Sequence, residues 1–167
     1  MIAFCGYGRS GKDTSAYMFS KITGIPYAGS ISWMHKEIVA AKLGIPDQLA
    51  WDTRHEIRED WKRILEEYRG DDPAKLIRTC LKFSPIVCGA RTFLELQAAL
   101  QEGLIKIAVW VDRPGIAKDP TVTYTSSNCT HVLNNAGDLR ELNNQIAAFI
   151  SVNFSNGSNG LMVPSGL

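Results

Sequence analysis

The segment Gly6-Tyr7-Gly8-Arg9-Ser10-Gly11-Lys12-Asp13-Thr14 gathers three glycines, a lysine and the oxygen-bearing Ser10, Asp13 and Thr14 in one short stretch. Glycines let a backbone pass close to a ligand in conformations that side chains forbid. Successive N–H groups then form a concave nest, and a following helix adds the positive end of its dipole. Lys12 supplies a point charge suited to β- and γ-phosphates. The chemistry implied is the wrapping of a nucleoside triphosphate by Gly6, Gly8, Arg9, Ser10, Gly11, Lys12, Asp13 and Thr14. The spacing is that of the P-loop signature G-x-x-x-x-G-K-[ST], except that Asp13 follows the lysine and Thr14 comes one place later.

A bound triphosphate is normally used to move its terminal phosphoryl group. That transfer needs alignment, exclusion of water and positive charge around the moving group, not a protein nucleophile. Arg91, two residues past an apolar run, is a candidate catalytic cation and acceptor-phosphate contact, against a surface arginine at a helix start. Arg113 opens a polar segment and is the second candidate catalytic cation, against a plain loop ion pair. Arg9 and Lys118 are weaker candidates of the same kind. Arg54, Arg58 and Arg63 alternate with Glu56, Glu59 and Glu66, the pattern of a solvated, ion-paired face. Of these, Arg58 is the candidate for reaching an acceptor. Asp13 is the candidate magnesium contact, because a hard cation favours oxygen ligands; the plainer alternative is a favourable charge at a helix N-terminus. Asp72 reads as a helix cap, and the three histidines and four tryptophans as structural residues.

The elements that must position these residues alternate between strand and helix. Met1–Cys5, Pro85–Gly89 and Lys106–Val111 are apolar runs of buried strands, with His131–Leu133 and Tyr27–Gly29 as shorter ones. Helices are expected over Lys12–Lys21, Ile31–Ala41, Thr53–Arg69, Pro73–Phe83, Thr92–Glu102 and from Leu139 to Ile150. Thr92 and Glu95 have the spacing of a capping box. The fold class is therefore α/β: a three-layer P-loop kinase fold with a central parallel sheet of about five strands and helices on both faces. Ligands bind beyond the carboxyl ends of the strands in such sheets, where the glycine-rich loop stands. Residues 1–154 form one domain with a lid-like loop near 113–128, and 155–167 read as a flexible tail.

With a net charge of +1, the chain has no basic field to hold a nucleic acid, so phosphate binding must be local. Cys5, Cys80, Cys88 and Cys129 form no C-x-x-C pair and read as reduced, small apolar residues. No apolar run reaches membrane-spanning length and no signal sequence precedes the loop, so a cytoplasmic protein without a membrane partner is expected.

Arg9-Ser10-Gly11-Lys12-Asp13-Thr14 resembles the loop of phage-type deoxynucleoside monophosphate kinases, in the nucleoside monophosphate kinase branch of the P-loop proteins. The likeness continues with gaps to about Ile150. Tyr27-Ala28-Gly29-Ser30 resembles the segment after that family's second strand, and Asp72-Pro73 with Leu76-Ile77 has a counterpart. Ile86-Val87-Cys88-Gly89-Ala90-Arg91 resembles its strand ending in Asp-x-Arg. Val111-Asp112-Arg113-Pro114-Gly115 resembles the entry to its lid, and Asn134-Asn135-Ala136-Gly137 its Asn-x-Gly turn near the adenine. The resemblance implies ATP and Mg2+ as cofactors, Asn134 as an ATP contact, and Arg58 and Arg91 at a small phosphorylated acceptor, with a homodimer left open. Two departures stand out: Gly89 replaces a Walker-B-type aspartate, and the lid reads Thr121-Val122-Thr123-Tyr124. The activity expected is ATP-dependent phosphorylation of a (deoxy)nucleoside monophosphate to the diphosphate. The alternatives are a P-loop kinase for another small phosphorylated metabolite and a nucleotide-binding regulator without turnover.

Overall fold

The computed structural model describes residues 1–154; the expected flexible tail, 155–167, lies outside the described residues. A four-stranded, all-parallel sheet forms the centre, in the order β2-β1-β3-β4. It is built from β1 (Ile2–Cys5), β2 (Ile86–Cys88), β3 (Ile107–Asp112) and β4 (His131–Asn134). β1 is central, pairing Phe4 with Cys88 on one side and Cys5 with Trp110 on the other. β3 in turn pairs Asp112 with Asn134 of β4.

Pleating sends alternate residues of each strand to opposite faces. Ile2 and Phe4, with Ile86, Cys88, Val109 and Val111, pack on Phe19, Leu142, Ile146 and Phe149. Those partners lie on α1 (Lys12–Thr23) and α8 (Leu139–Phe154). Ala3, Cys5, Val87, Ala108 and Trp110 face the other way, toward Ile64, Leu65, Ile77 and Leu96. That side is covered by α2 (Ile31–Met34), α3 (Lys36–Leu43), α4 (Asp47–Asp52), α5 (Arg58–Arg69), α6 (Lys75–Cys80) and α7 (Phe93–Gln101). Fully burying a side chain such as Phe4 contributes about 1.5–3 kcal/mol, so the two apolar faces hold the layers together. No described helix is long and apolar enough to cross a membrane.

The sheet has four strands where about five were expected. Tyr27–Gly29 forms no strand, although Ser84 Oγ donates to Pro26 O at 2.9 Å beside the start of β2. Pro26 has no N–H to give a ladder, and Gly29 turns the chain at φ 114°. The helix expected over 31–41 is two helices. The His35 ring Nδ1 lies 2.8 Å from Ile31 O, and His35 interrupts the helical dihedrals at φ −107°, ψ 12°. The helix expected over Thr53–Arg69 starts late: the Thr53 hydroxyl donates to Leu49 O at 2.8 Å just past the end of α4, and α5 begins only at Arg58. Asp72 accepts the Ala74 N–H at 3.0 Å just ahead of α6, but the N-cap of that helix is Ala74, with no side-chain cap, so Asp72 is not the cap expected of it. Thr92 caps α7, accepting the Glu95 N–H at 3.1 Å. The Glu95 carboxylate bonds the Arg91 N–H at 2.8 Å, one residue earlier than a capping box requires.

Candidate functional site

β1 leads directly into the glycine-rich loop, and α1 begins at Lys12. The next strand in sequence, β2, lies on one side of β1, and the one after it, β3, on the other. The loop thus sits at the point where strand order reverses, the place a parallel sheet opens a crevice for ligand. Gly6, at φ 138°, is one position where only glycine fits. A Cβ there would lie 2.6 Å from Ser10 Oγ and 2.7 Å from the Val111 carbonyl oxygen. Backbone oxygen cannot swing aside as a flexible side chain can. Gly6→Ala is expected to destabilise the fold by about 2–4 kcal/mol, read as a lower midpoint in urea unfolding; an unchanged midpoint would show that the loop has another conformation.

Lys12 is not a solvent-facing side chain: it is 7% exposed. Its Nζ lies 3.5 Å from Tyr7 O and 3.5 Å from Asp13 Oδ2. Both are outer-limit distances for a group with three donors. Its stem passes Gly89, where an added Cβ would sit 3.8 Å from Lys12 Cε. The N-cap of α1 is Gly11, so no side chain caps that helix. Among the described residues, Ser10 Oγ is buried without a hydrogen-bond partner. An ammonium, open helix N–H groups and an orphaned hydroxyl therefore converge, an arrangement that favours an anion.

Asp13 holds a half-exposed carboxylate beside this pocket. Its Oδ1 accepts from Tyr27 OH at 3.3 Å and faces Cys88 Sγ at 3.4 Å. Burial, with Asp13 nearby, pushes both the Tyr27 phenol and the Cys88 thiol well above their usual ranges, keeping them neutral donors. Oδ2, by Lys12, faces the loop. The carboxylate is thus oriented with one oxygen held and one turned to the ligand side, which suits a hydrated divalent cation. Among the described residues no three His, Cys, Asp or Glu side chains cluster as a metal site of their own.

A cavity of about 300 Å³ opens beside the loop, lined by Gly11, Thr14, Arg113, Asn135 and Asp138 among others. Asn135 is buried and donates to Ser10 O at 2.8 Å. Asn134 is exposed instead, its backbone paired with the Gln145 amide. Of the two adjacent asparagines, Asn135 is the one whose side chain reaches the glycine-rich loop. Arg113 is in this wall; Arg91 does not line it and pairs with Asp119 instead.

Arg91 and Arg58 are brought together, and by a residue that sequence reasoning missed. Asp119 accepts from Arg58 Nη2 at 2.9 Å and from Arg91 Nη1 at 2.8 Å. Thr121 donates its N–H and hydroxyl to Asp119 at 3.0 and 2.6 Å. An added Cβ on Gly8 would meet Asp119 Oδ2 at 3.4 Å, so this cluster stands over the loop. Burial alone would raise the Asp119 pKa, but the Thr121 hydrogen bonds and the two guanidinium charges outweigh it and hold the carboxyl well below its usual range. No sequence signal marked Asp119: an acid before Pro120 in a polar segment reads as turn. The lid-like loop is also less free than its composition implied. Val122 and Tyr124 are buried, Tyr124 OH donates to Ala90 O at 2.8 Å, and Thr123 N donates to Arg91 O at 3.0 Å. Arg9 is exposed, at φ 65°, and Lys118 is exposed on the loop.

No protein-family model, curated protein or solved structure matches the chain.

Proposed function

We propose that this chain is a P-loop kinase that uses ATP and Mg2+ to phosphorylate a deoxynucleoside monophosphate. The observation that carries the reading is Lys12, a buried ammonium whose nearest anion, Asp13 Oδ2, lies 3.5 Å away, set between a glycine-rich loop and a helix N-terminus without a side-chain cap. Such a charge is costly to bury unless an anion completes it. The triphosphate supplies that anion, with its phosphates along the loop and its base in the cavity between Arg113 and Asn135. Thr14, also in that wall, is assigned to the α-phosphate. In the reaction, an oxygen of the acceptor phosphate attacks the γ-phosphorus, the bond to the β–γ bridging oxygen breaks, and ADP leaves. Lys12 and Arg91 offset charge on the moving group, and Arg58 and Arg91 hold the acceptor.

Asp13 fits the role of magnesium contact, direct or through water. The ion, when bound, neutralises charge on the β- and γ-phosphates. Asp13→Asn is expected to raise the magnesium concentration needed for half-maximal turnover about tenfold. An unchanged requirement would assign the ion to phosphate and water alone.

ADP release measured by a coupled assay, against a panel of nucleoside and deoxynucleoside monophosphates, tests the activity. A second reading, a nucleotide-binding regulator, is favoured by one observation: Gly89 places no carboxylate beside Lys12 at the end of β2. It predicts ATP affinity without ADP release on any acceptor. Turnover confined to other phosphorylated metabolites would move the substrate and keep the chemistry.

A further inference from the structure

Asp119 is a buried carboxylate on an otherwise exposed stretch, and neither triphosphate nor magnesium binding uses it. Its oxygens join three separate parts of the chain: Arg58 at the start of α5, Arg91 after β2, and Thr121 on the lid-like loop itself. Arg58 reaches both oxygens with Nη2, at 2.9 and 3.1 Å. The Thr121 hydroxyl also lies 3.3 Å from Arg58 Nη2 and 3.2 Å from Arg91 Nη1. The order of depth is informative. The Asp119 side chain is 8% exposed, while those of Arg58 and Arg91 are 49% and 39% exposed. The acid lies beneath the cations, and solvent meets the guanidiniums first.

A guanidinium is a planar fork of five N–H donors. Arg58 commits Nη2 and Arg91 commits Nη1 to this acid and its threonine. Among the described residues their Nε and remaining Nη groups make no hydrogen bond. Two guanidiniums held this close repel each other unless an anion stands between them. Asp119 supplies it and leaves a cluster of net positive charge with unused donors.

We propose that Asp119 is a positioning residue that fixes Arg58 and Arg91 side by side, so that their free N–H donors form a clamp for the acceptor's phosphate at the mouth of the loop. The inference rests on the kinase reading for the identity of the phosphate, but not for the geometry of the clamp. Asp119 is not a stand-in that the phosphate displaces. A phosphate that took both arginines away would strand a buried carboxylate, because Thr121 already fills its other lone pairs and cannot follow. The clamp also explains why the lid-like loop is anchored where it is: Thr123 and Tyr124 tie it to Arg91 and Ala90, the segment whose guanidinium it must hold.

The test uses the full chain saturated with a non-hydrolysable ATP analogue, so that the loop is filled, and titrates inorganic phosphate by calorimetry. Asp119→Asn keeps the shape and removes the charge. It is expected to weaken phosphate binding about tenfold while leaving affinity for the ATP analogue unchanged. Asp119→Glu is expected to recover part of the loss. Equal or tighter phosphate binding in Asp119→Asn would overturn the proposal, the tighter case showing a competing, self-inhibitory acid. Should Asp119→Asn fail to fold, Thr121→Val removes the hydroxyl that touches all three charges, and a loss of about threefold is expected; no loss would overturn the proposal. The NMR signals of the arginine side chains provide a readout without any ligand. Hindered guanidinium rotation for Arg58 and Arg91 in the wild type, released in Asp119→Asn, is the expected signature, and free rotation in the wild type would refute it. A wild type that binds no ATP analogue would count against the kinase reading, while the guanidinium signals would still judge Asp119.

Discussion

Lys12→Ala is expected to lower phosphoryl transfer by about 1,000-fold or more without lowering the stability of the ligand-free protein. The two halves of this result have one cause. Lys12 is 7% exposed, and its partners, Tyr7 O and Asp13 Oδ2, both lie at 3.5 Å. An ammonium in that state gains little from its neighbours and has lost most of its water, so removing it relieves a cost as it removes packing. In the proposed ligand-bound protein the case is reversed, because the triphosphate would supply a closer anion than Asp13. At 100 times its dissociation constant a ligand stabilises the folded state by about 2.7 kcal/mol. Wild-type protein is therefore expected to show a clear rise in Tm with ATP, and Lys12→Ala little or none. The check is a pair of thermal unfolding curves for each protein, with and without ATP, beside the ADP-release assay. Turnover at the wild-type rate in a folded Lys12→Ala protein would end the kinase reading. A ligand-free variant several degrees less stable would show instead that the Lys12 stem, not its charge, is what the fold requires.

The parts of this molecule that were legible in sequence are those written in a contiguous stretch. The runs at Ile2–Cys5, Ile86–Cys88 and Ile107–Val111 are apolar on both faces of the pleat, and a parallel strand covered on both sides must look so. The loop was legible because its glycines and lysine are adjacent. What was not legible depends on partners far away in the chain. Whether Asn134 or Asn135 meets the loop is decided by the pleat of β4: Leu133 is buried, Asn134 is turned out, and Asn135 N bonds Asp112 O before its side chain reaches Ser10. Two adjacent asparagines look alike until that register is fixed. Asp119 becomes significant only once Arg58 and Arg91 converge on it from 61 and 28 residues away. The missing strand at Tyr27 was a matter of backbone donors, which Pro26 lacks. Helix boundaries failed where one side chain competed for a backbone carbonyl, His35 for Ile31 O and Thr53 for Leu49 O.

Arg91→Ala and Arg113→Ala are expected to fail in different ways, although the sequence offered both as cations for the moving phosphoryl group. Arg91 stands with Arg58 and Asp119 over Gly8, on the side of the loop where an acceptor would approach. Its charge matters most when the transferring group is loosely held between donor and acceptor oxygens, so its loss falls on kcat. A drop of about 100-fold in kcat is expected, with ATP affinity changed less than about threefold. Arg113 lines the cavity with Gly11, Thr14, Asn135 and Asp138. From there it would contact a bound triphosphate before and during transfer alike, and such uniform binding lowers KM without raising kcat. Arg113→Ala is therefore expected to raise the KM for ATP about tenfold and to leave kcat within a factor of a few. Steady-state kinetics over a range of ATP at saturating acceptor separates the two cases, and direct titration with the ATP analogue checks that KM follows affinity. Were Arg113→Ala to lose kcat and keep its affinity, the lid-like loop would have to close over the phosphates during the reaction, carrying Arg113 out of the cavity wall. Were Arg91→Ala to lose affinity for ATP in step with turnover, Arg91 would be a contact to the bound triphosphate, and the clamp of Arg58 and Arg91 would belong to the donor side of the site.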